Sequence, residues 1–506
     1  MFCSLYSFSV TGIDAAVIKT EVDVGNGLPC FDMVGYLAGE VKEARERVRV
    51  ALKNSGYPVP AKRITVNLSP ADERKGGTGY DLAIALGILC ALGYLPEDLT
   101  AGYGILGELG LDGSVRAVPG VLPCVIAAKE AGFSAILLPS ENAEEGALVA
   151  GIRVYGVRTL TEAVEHFTGA GGGTLVTPRA WAPEEAVAED FADIRGQFLA
   201  KRAAEIAAAG MHNLLLSGPP GAGKTMLAKR IPGILPKLTF EESLEITKVY
   251  SVAGKVSGED GMVRSRPFRS PHHTATLTAL AGGGRNPMPG EFSLASGGVL
   301  FLDELPEFPR AGIEILRQPL EERRIQIARL HGNVSYPASF MLVAAMNPCP
   351  CGYYPDRNRC RCTPDQISRY RAKLSRPILD RIDLFVRVQG LPPKDLTGAP
   401  GGEHSAAVRS RVELARKRQE ARFRGTPYRY NSEVPGKLLS ESMQVSKEAA
   451  EVAREYAERT GCTARGYHRM WKVARTIADL ADSETVLPEH MAEAAGFRTE
   501  QEGDCL

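Results

Sequence analysis

Apolar and polar residues alternate with two different periods along this chain, and the changes of period mark out its organisation. Ala15–Val24 and Arg63–Leu68 follow the two-residue period of half-buried strands. Val41–Gly56, VKEARERVRVALKNSG, follows the helical period and stops at a glycine. Tyr80–Leu92 is apolar on all sides, which predicts a buried helix, and Ala135–Leu138 predicts a short buried strand. Gly169–Gly173 and the proline-containing stretch up to Glu189 break the periodicity. Residues 1–168 are therefore expected to form one α/β domain and 169–189 a linker. Strands and helices alternate again over 190–391, as in an α/β sheet domain. Gly390–Ser405 is a second loose stretch, and 392–506 reads almost wholly helical.

Composition narrows the picture. Lys+Arg and Asp+Glu both number 60 in the 506 residues. A bulk basic field is absent, so any nucleic-acid contact must come from local clusters. The leading MFCSLYSFSVTGIDAAV has no basic start, and Asp14 interrupts its apolar run, so no signal peptide is expected. No apolar run reaches the roughly 18 residues of a membrane-spanning helix. Ten cysteines without an export signal point to free thiols or metal ligands and to a cytoplasmic location.

The densest chemistry lies in LLLSGPPGAGKT, Leu214–Thr225. An apolar strand runs into Gly218, Pro219, Pro220, Gly221, Ala222, Gly223, Lys224 and Thr225, and a helix follows. Glycines at these places let backbone N–H groups turn towards phosphate oxygens at a helix N-terminus. Lys224 would reach the β- and γ-phosphates of ATP, and Thr225 would ligate Mg²⁺. A second apolar strand, GGVLFLDEL, ends in Asp303 and Glu304. Asp303 would hold Mg²⁺, and Glu304 would orient and deprotonate the attacking water. A third, FMLVAAMNP, ends in Asn347, placed to touch the γ-phosphate or the water. Arg381, in KLSRPILDRIDLFVRV, could complete a neighbouring subunit's site, or could pair with Asp380 or Asp383. Arg376 and Arg369 are weaker candidates for that role. Arg465 begins a helix in the last domain, where a lid could bring it onto the phosphates.

This order of motifs, with RPFRSPHHTATLTALAGGG, LASGGVLFLDELPEF and LDRIDL, resembles the magnesium-chelatase-like branch of the AAA+ superfamily, and in particular the ComM (YifB) family. GLPCFDMVGYLAGEVKEARERVRVALKNSGYPVP and ITVNLSPADERKGGTGYDLAIALGIL are similar to the same family. The resemblance implies an α/β chain with a Lon-protease-like N-terminal domain, a P-loop AAA+ αβα sandwich and a C-terminal helical lid. It also implies a homo-hexameric ring and ATP-driven branch migration of DNA during natural transformation. Lys224, Thr225, Asp303, Glu304 and Asn347 fall on the family's nucleotide motifs, Arg381 on the arginine finger, and Arg465, with Arg469 as the alternative, on the lid arginine. Where Lon-type proteases carry a serine and a lysine, this chain aligns Gly79 and Leu122, so peptide cleavage has neither nucleophile nor base.

Two further features call for a partner. Val252–Arg269 and Glu321–Phe340 read as hairpins carrying Lys255, Arg264, Arg266, Arg323, Arg324 and Arg329; such hairpins could grip DNA phosphates in a pore, or their cations could be solvated or paired between subunits. The basic helix Arg409–Gly425 reads as a solvated face of the lid, and His272 and His273 as structural or as part of a pore loop. Cys349, Cys351, Cys360 and Cys362 form C-x-C, eight residues, C-x-C, which could close a structural Zn²⁺ site or remain free thiols. A chelatase motor driving metal insertion is the alternative to a DNA motor. It is opposed by the N-terminal domain, which such motor subunits lack.

Overall fold

The computed structural model describes residues 1–184, 189–256, 261–284, 286–329, 332–390 and 402–503. The first unit is built on an eight-stranded mixed sheet. Its longest pair, Phe2–Thr11 and Asp14–Gly25, is an antiparallel hairpin whose closing pair is Thr11↔Asp14. Gly12 takes the left-handed conformation that this two-residue connection requires, with φ +69°. The helix Gly39–Asn54 buries Val41, Ala44, Val48, Ala51 and Leu52, the stripe that its period predicts. Asp81–Ala91 is buried along its whole length. Gly87 lets this helix sit on the sheet, because a Cβ there would lie 2.7 Å from Val22 Cγ2. Its one charge, Asp81, accepts from Arg47 Nε at 2.7 Å.

The stretch expected to be linker is partly structured. Thr174–Val176 pairs antiparallel with Arg153–Val157 and adds an edge strand to the first sheet. The flanking glycines and prolines hid three residues whose backbone satisfies the open edge.

The second unit has five parallel strands: β1 (Leu214–Ser217), β2 (Phe268–Arg269), β3 (Val299–Leu302), β4 (Met341–Met346) and β5 (Leu384–Arg387). Their order across the sheet is β2-β3-β4-β1-β5. β3 and β4 are buried at every residue, the signature of a sheet covered on both faces. On one face, one apolar core joins Leu214, Val343 and Val386 of this sheet to Ala-rich Phe198–Gly210 and to Val412, Met470, Ile477 and Met491 of the C-terminal helices. Gln419 fastens the same contact by donating to Ala209 O at 2.9 Å.

Asp383 stands at this junction, fully buried just before β5. It accepts from Asn213 N at 2.8 Å, pairs with Arg469 of the C-terminal helix Ala464–Leu480, and lies 3.7 Å from His212. Burial opposes its ionisation, but Arg469, His212 and the Asn213 N–H outweigh burial and hold the carboxyl well below the usual aspartate range. A depressed folded pKa means that the stabilisation is complete above the unfolded value, about 3.9, and is lost as pH falls through the lower folded one. Asp383→Ala leaves a buried cation and N–H unpaired, so it should cost about 3–5 kcal/mol in urea unfolding at neutral pH. An unchanged urea midpoint would remove Asp383 from this role.

The two candidate hairpins fare differently. Arg324–Arg329 and Gly332–Pro337 pair from Arg324↔Pro337 to Arg329↔Gly332, as expected; the tip residue His331 and the Arg329 side chain lie outside the described residues. Val252–Arg269 does not form a hairpin among the described residues. The helix Phe240–Val252 passes into a loop, and the only strand is β2 at Phe268–Arg269; the tip, 257–260, lies outside the described residues. The last turn of that helix packs on the first unit, where Gly120 N donates to Ser251 O at 2.9 Å. Arg266 is buried and donates to Glu242 Oε2 at 2.8 Å and to Gly297 O at 2.7 Å, so it clamps the fold and offers no free cation. The basic helix Ser405–Arg422 is likewise not a solvated face: Arg411 pairs with Glu205 and Glu403, Arg418 with Asp482 and Arg422 with Asp479, while Arg416 lies over Tyr430.

Candidate nucleotide site

β1 ends at Ser217 and the helix Lys224–Ile234 starts at Lys224, so the glycine-rich turn between them, residues 218–223, is forced to be tight. Gly221 and Gly223 take left-handed φ values of +75° and +90°. Gly218 has no room for a side chain, since a Cβ would lie 2.2 Å from Val388 O. Pro219, Pro220 and Ala222 fill the rest of the turn.

Parallel topology then gathers the polar ends. β1, β3 and β4 run in one direction in register, so Gly218, Asp303 and Asn347 all leave from the same sheet edge. Lys224 Nζ donates to Gly218 O at 2.7 Å, Pro219 O at 3.0 Å and Asn347 Oδ1 at 3.1 Å. Burial pulls its amine below the usual lysine range, and Asp303 and Glu304 oppose that pull. Thr225 Oγ1 donates to Asp303 Oδ2 at 2.7 Å. A hydroxyl and a carboxylate converging beside a phosphate-sized turn are the hard oxygen donors that Mg²⁺ takes. Glu304 sits in the left-handed region, φ 50° and ψ 47°, and its N–H donates to Asp303 Oδ1 at 2.9 Å. A non-glycine residue there is strained, and its carboxylate is half-exposed at the site.

His273 is a neighbour that periodicity did not reveal. Its Nδ1 lies 3.7 Å from Glu304 Oε2, and its ring centroid lies 4.1 Å from that of His272, the planes tilted by 34°. The only signal was its place just after β2, which the topology sets beside β3.

The arginines stand elsewhere. β5 runs in register with β1, and Arg381 precedes β5, with its carbonyl accepting from Asn213 Nδ2 at 2.9 Å. It is therefore at the edge opposite Gly218, at least about 16 Å away along the strands, and does not reach its own chain's phosphates. Its partner is neither Asp380 nor Asp383: the guanidinium pairs with Glu321 and is only 3% exposed. Arg465 Nη2 lies 3.6 Å from the same Glu321 carboxylate. Arg465 thus joins Arg381 and is not laid on its own phosphates. Arg469 is held by Asp383, and Arg369 pairs with Asp365 at the exposed start of its helix.

Beyond Asn347 the four cysteine sulfurs, Cys349, Cys351, Cys360 and Cys362, all lie within 4.8 Å of one another. Sγ–Sγ distances of 3.4, 3.6 and 3.7 Å among the first three approach the about 3.8 Å edge of a tetrahedron with 2.3 Å Zn–S bonds. Backbone N–H groups of Tyr353 and Arg361 act on Cys351, whose thiol is pulled down to about 6. Among the proposed phosphate-gripping residues, Lys255 is exposed, while Arg264 is half-buried with its carbonyl accepting from Glu184 N. In the first unit, Leu122 is buried and gives its N–H to Glu145 Oε1 at 3.0 Å, and a Cβ at Gly79 would meet Leu106 at 3.3 Å. No helix among the described residues is long and apolar enough to cross a membrane.

Comparison with known proteins covers nearly the whole chain. The family model Magnesium chelatase, subunit ChlI, matches residues 190–396; Subunit ChlI of Mg-chelatase matches 20–142; and Magnesium chelatase, subunit ChlI C-terminal, matches 402–498. The chain is 42% identical to Competence protein ComM of Haemophilus influenzae over 501 residues, 98% of this chain and 97% of that protein. It is 43% identical to Uncharacterized protein YifB of Escherichia coli over 497 residues, 98% of this chain and 96% of that protein. A shorter likeness, 30% over 162 residues, relates 32% of this chain to 27% of Lon protease 2 of Bacillus subtilis.

Proposed function

The chain belongs to the ComM/YifB family of magnesium-chelatase-type AAA+ ATPases, and on that footing we propose that it is a cytoplasmic ring motor that spends ATP on moving DNA. The observation that carries the reading is the split of the machinery between two sheet edges. Lys224, Thr225, Asp303, Glu304 and Asn347 stand at one edge, while Arg381 and Arg465 share Glu321 at the other. A head-to-tail ring, a homo-hexamer in this reading, brings one subunit's arginine edge against the next subunit's phosphates.

In each site the turn's N–H groups and Lys224 hold the β- and γ-phosphates, and Thr225 and Asp303 hold Mg²⁺. Bound Mg²⁺ supplies neutralisation of charge on the transferred phosphoryl. Glu304 orients the water and takes its proton, and Asn347 fixes the γ-phosphate beside it. The partner subunit's arginine stabilises the negative charge that grows as the bond breaks. In this reading the family resemblance gives the domain frame: a Lon-like module over 1–168, a linker over 169–189, an ATPase domain over 190–391 and a helical lid over 392–506. The Lon-like module serves binding or assembly, because Gly79 and Leu122 stand where a serine and a lysine would be needed.

DNA enters through the likeness to a competence protein and through the basic segments Val252–Arg269 and Glu321–Phe340. Strand exchange by branch migration during natural transformation is the activity that fits. A chelatase-type motor acting on metal insertion or on a protein partner is the second reading, favoured by the ChlI-type matches. Grip on phosphates predicts DNA affinity that is nearly sequence-independent and falls steeply with salt, by about 0.7–0.9 decades per decade of salt for each phosphate neutralised. Replacing Lys255, Arg264 and Arg329 together by alanine should weaken binding and flatten that slope, as read by fluorescence anisotropy with single-stranded and branched DNA. ATPase without DNA reports whether the fold is intact. Wild-type protein that binds no DNA even with ATP would move the chelatase-type reading ahead.

A further inference from the structure

Between β4 and the helix Pro364–Arg371 the chain makes a 14-residue excursion, Cys349–Cys362, with no described helix or strand of its own. Almost nothing in it is buried: Cys349 and Gly352 are, while the remaining residues are half-buried or exposed. Such a loop has no apolar core to pin it, so the groups that can pin it are the four sulfurs within 4.8 Å of one another. Tyr354 N also points at Cys349 Sγ, 3.4 Å away, as N–H groups do around metal-bound thiolates.

The excursion touches the nucleotide site at two places. It starts two residues after Asn347, whose Oδ1 accepts from Lys224 Nζ. Its buried glycine, Gly352, lies against Pro220 of the phosphate-binding turn: a Cβ there would stand 2.4 Å from Pro220 Cδ and 2.8 Å from Cγ, and φ is +84°. The far wall is held by Arg371, which donates to Pro348 O at 3.4 Å and lies over the Tyr354 ring at 5.1 Å.

We propose that Cys349, Cys351, Cys360 and Cys362 hold one Zn²⁺ whose task is to brace the nucleotide site, pressing Gly352 on Pro220 and fixing the segment that carries Asn347. With four thiolates the coordination shell is closed, so the ion is structural and takes no part in hydrolysis. ATP affinity is nonetheless metal-dependent, because the phosphate-binding turn loses one wall when the loop is released. The inference rests on the ATPase reading of the site and is independent of DNA.

The test uses the full chain and measures metal content and ATP binding separately. Protein purified without added zinc should contain close to one Zn per chain by elemental analysis. Removing it with a chelator should weaken binding of a fluorescent ATP analogue about tenfold, and Zn²⁺ alone should restore it. Metal-free native protein, or iron with a visible charge-transfer band, overturns the zinc assignment. Zinc that comes and goes without altering ATP affinity overturns the brace. If metal removal unfolds the chain, Gly352→Ala decides: it leaves every thiol in place and should retain zinc yet bind ATP more weakly. Unchanged affinity in that variant refutes the coupling. Loss of DNA binding alone would bear only on the motor reading.

Discussion

Glu304→Gln should bind ATP about as tightly as the wild type and turn it over at least about 100-fold more slowly, the low end of what a positioned general base contributes. The substitution keeps size and hydrogen-bonding capacity but removes the basic oxygen at the mouth of the site. Glu304 is half-exposed and touches neither Lys224 nor Thr225 by any hydrogen bond among the described residues, so binding should be spared. Lys224→Ala should behave in the opposite way. It deletes the amine that bridges the turn and Asn347, together with the point charge facing the phosphates. Loss of a charge-assisted bond of about 3 kcal/mol weakens ATP binding roughly 100-fold. Nucleotide titration and phosphate release, measured on both variants, separate binding from turnover. Equal turnover in wild type and Glu304→Gln would refute the assigned base.

The second large effect concerns Arg381. An arginine finger contributes about 10³–10⁵ in rate, so Arg381→Ala should nearly abolish hydrolysis although the residue stands at the far edge from its own phosphates. Mixing Arg381→Ala with Glu304→Gln chains should recover activity, because a junction with Glu304 from the first and Arg381 from the second is complete. In randomly mixed rings roughly a quarter of the junctions are of that kind. Verified mixed rings that stay inactive would make Arg381 a structural residue. Its ion pair with Glu321 makes this a real competitor. Burial opposes ionisation of that carboxyl, yet Arg381 and Arg465 hold it below the usual glutamate range. Arg381→Lys with a thermal melt separates the two: a structural role is largely kept by any cation, whereas a planar fork on phosphate is not.

The phosphate-binding turn was legible in the sequence because everything that makes it lies within twelve consecutive residues: an apolar strand, glycines that accept left-handed φ, and a helix start. Asp303, Glu304 and Asn347 were legible for the same reason, as polar residues at the ends of apolar runs. The four cysteines declared themselves by spacing. The helix Gly39–Asn54 followed its apolar period, and Asp81–Ala91 its all-apolar run, to within two residues. In each case the information is local, carried by backbone conformations and side-chain periods that short stretches impose on themselves.

What remained hidden depends on partners far away in the chain. Arg266 looked like a hairpin cation, but it neutralises Glu242 inside the fold, and only packing could make that pairing cheaper than solvation. Arg381 had two aspartates beside it in sequence and took neither; the chain brings Glu321 to it from 60 positions upstream, while Asp383 turns to Arg469. His273 meets Glu304, and Gly352 meets Pro220, only because the parallel order β2-β3-β4-β1-β5 lays those loops side by side. The sequence by itself thus determined which chemical groups the site contains. The tertiary structure alone decided which of them face one another and at which edge, because charge pairing and close packing act through space, where separation along the chain carries no weight.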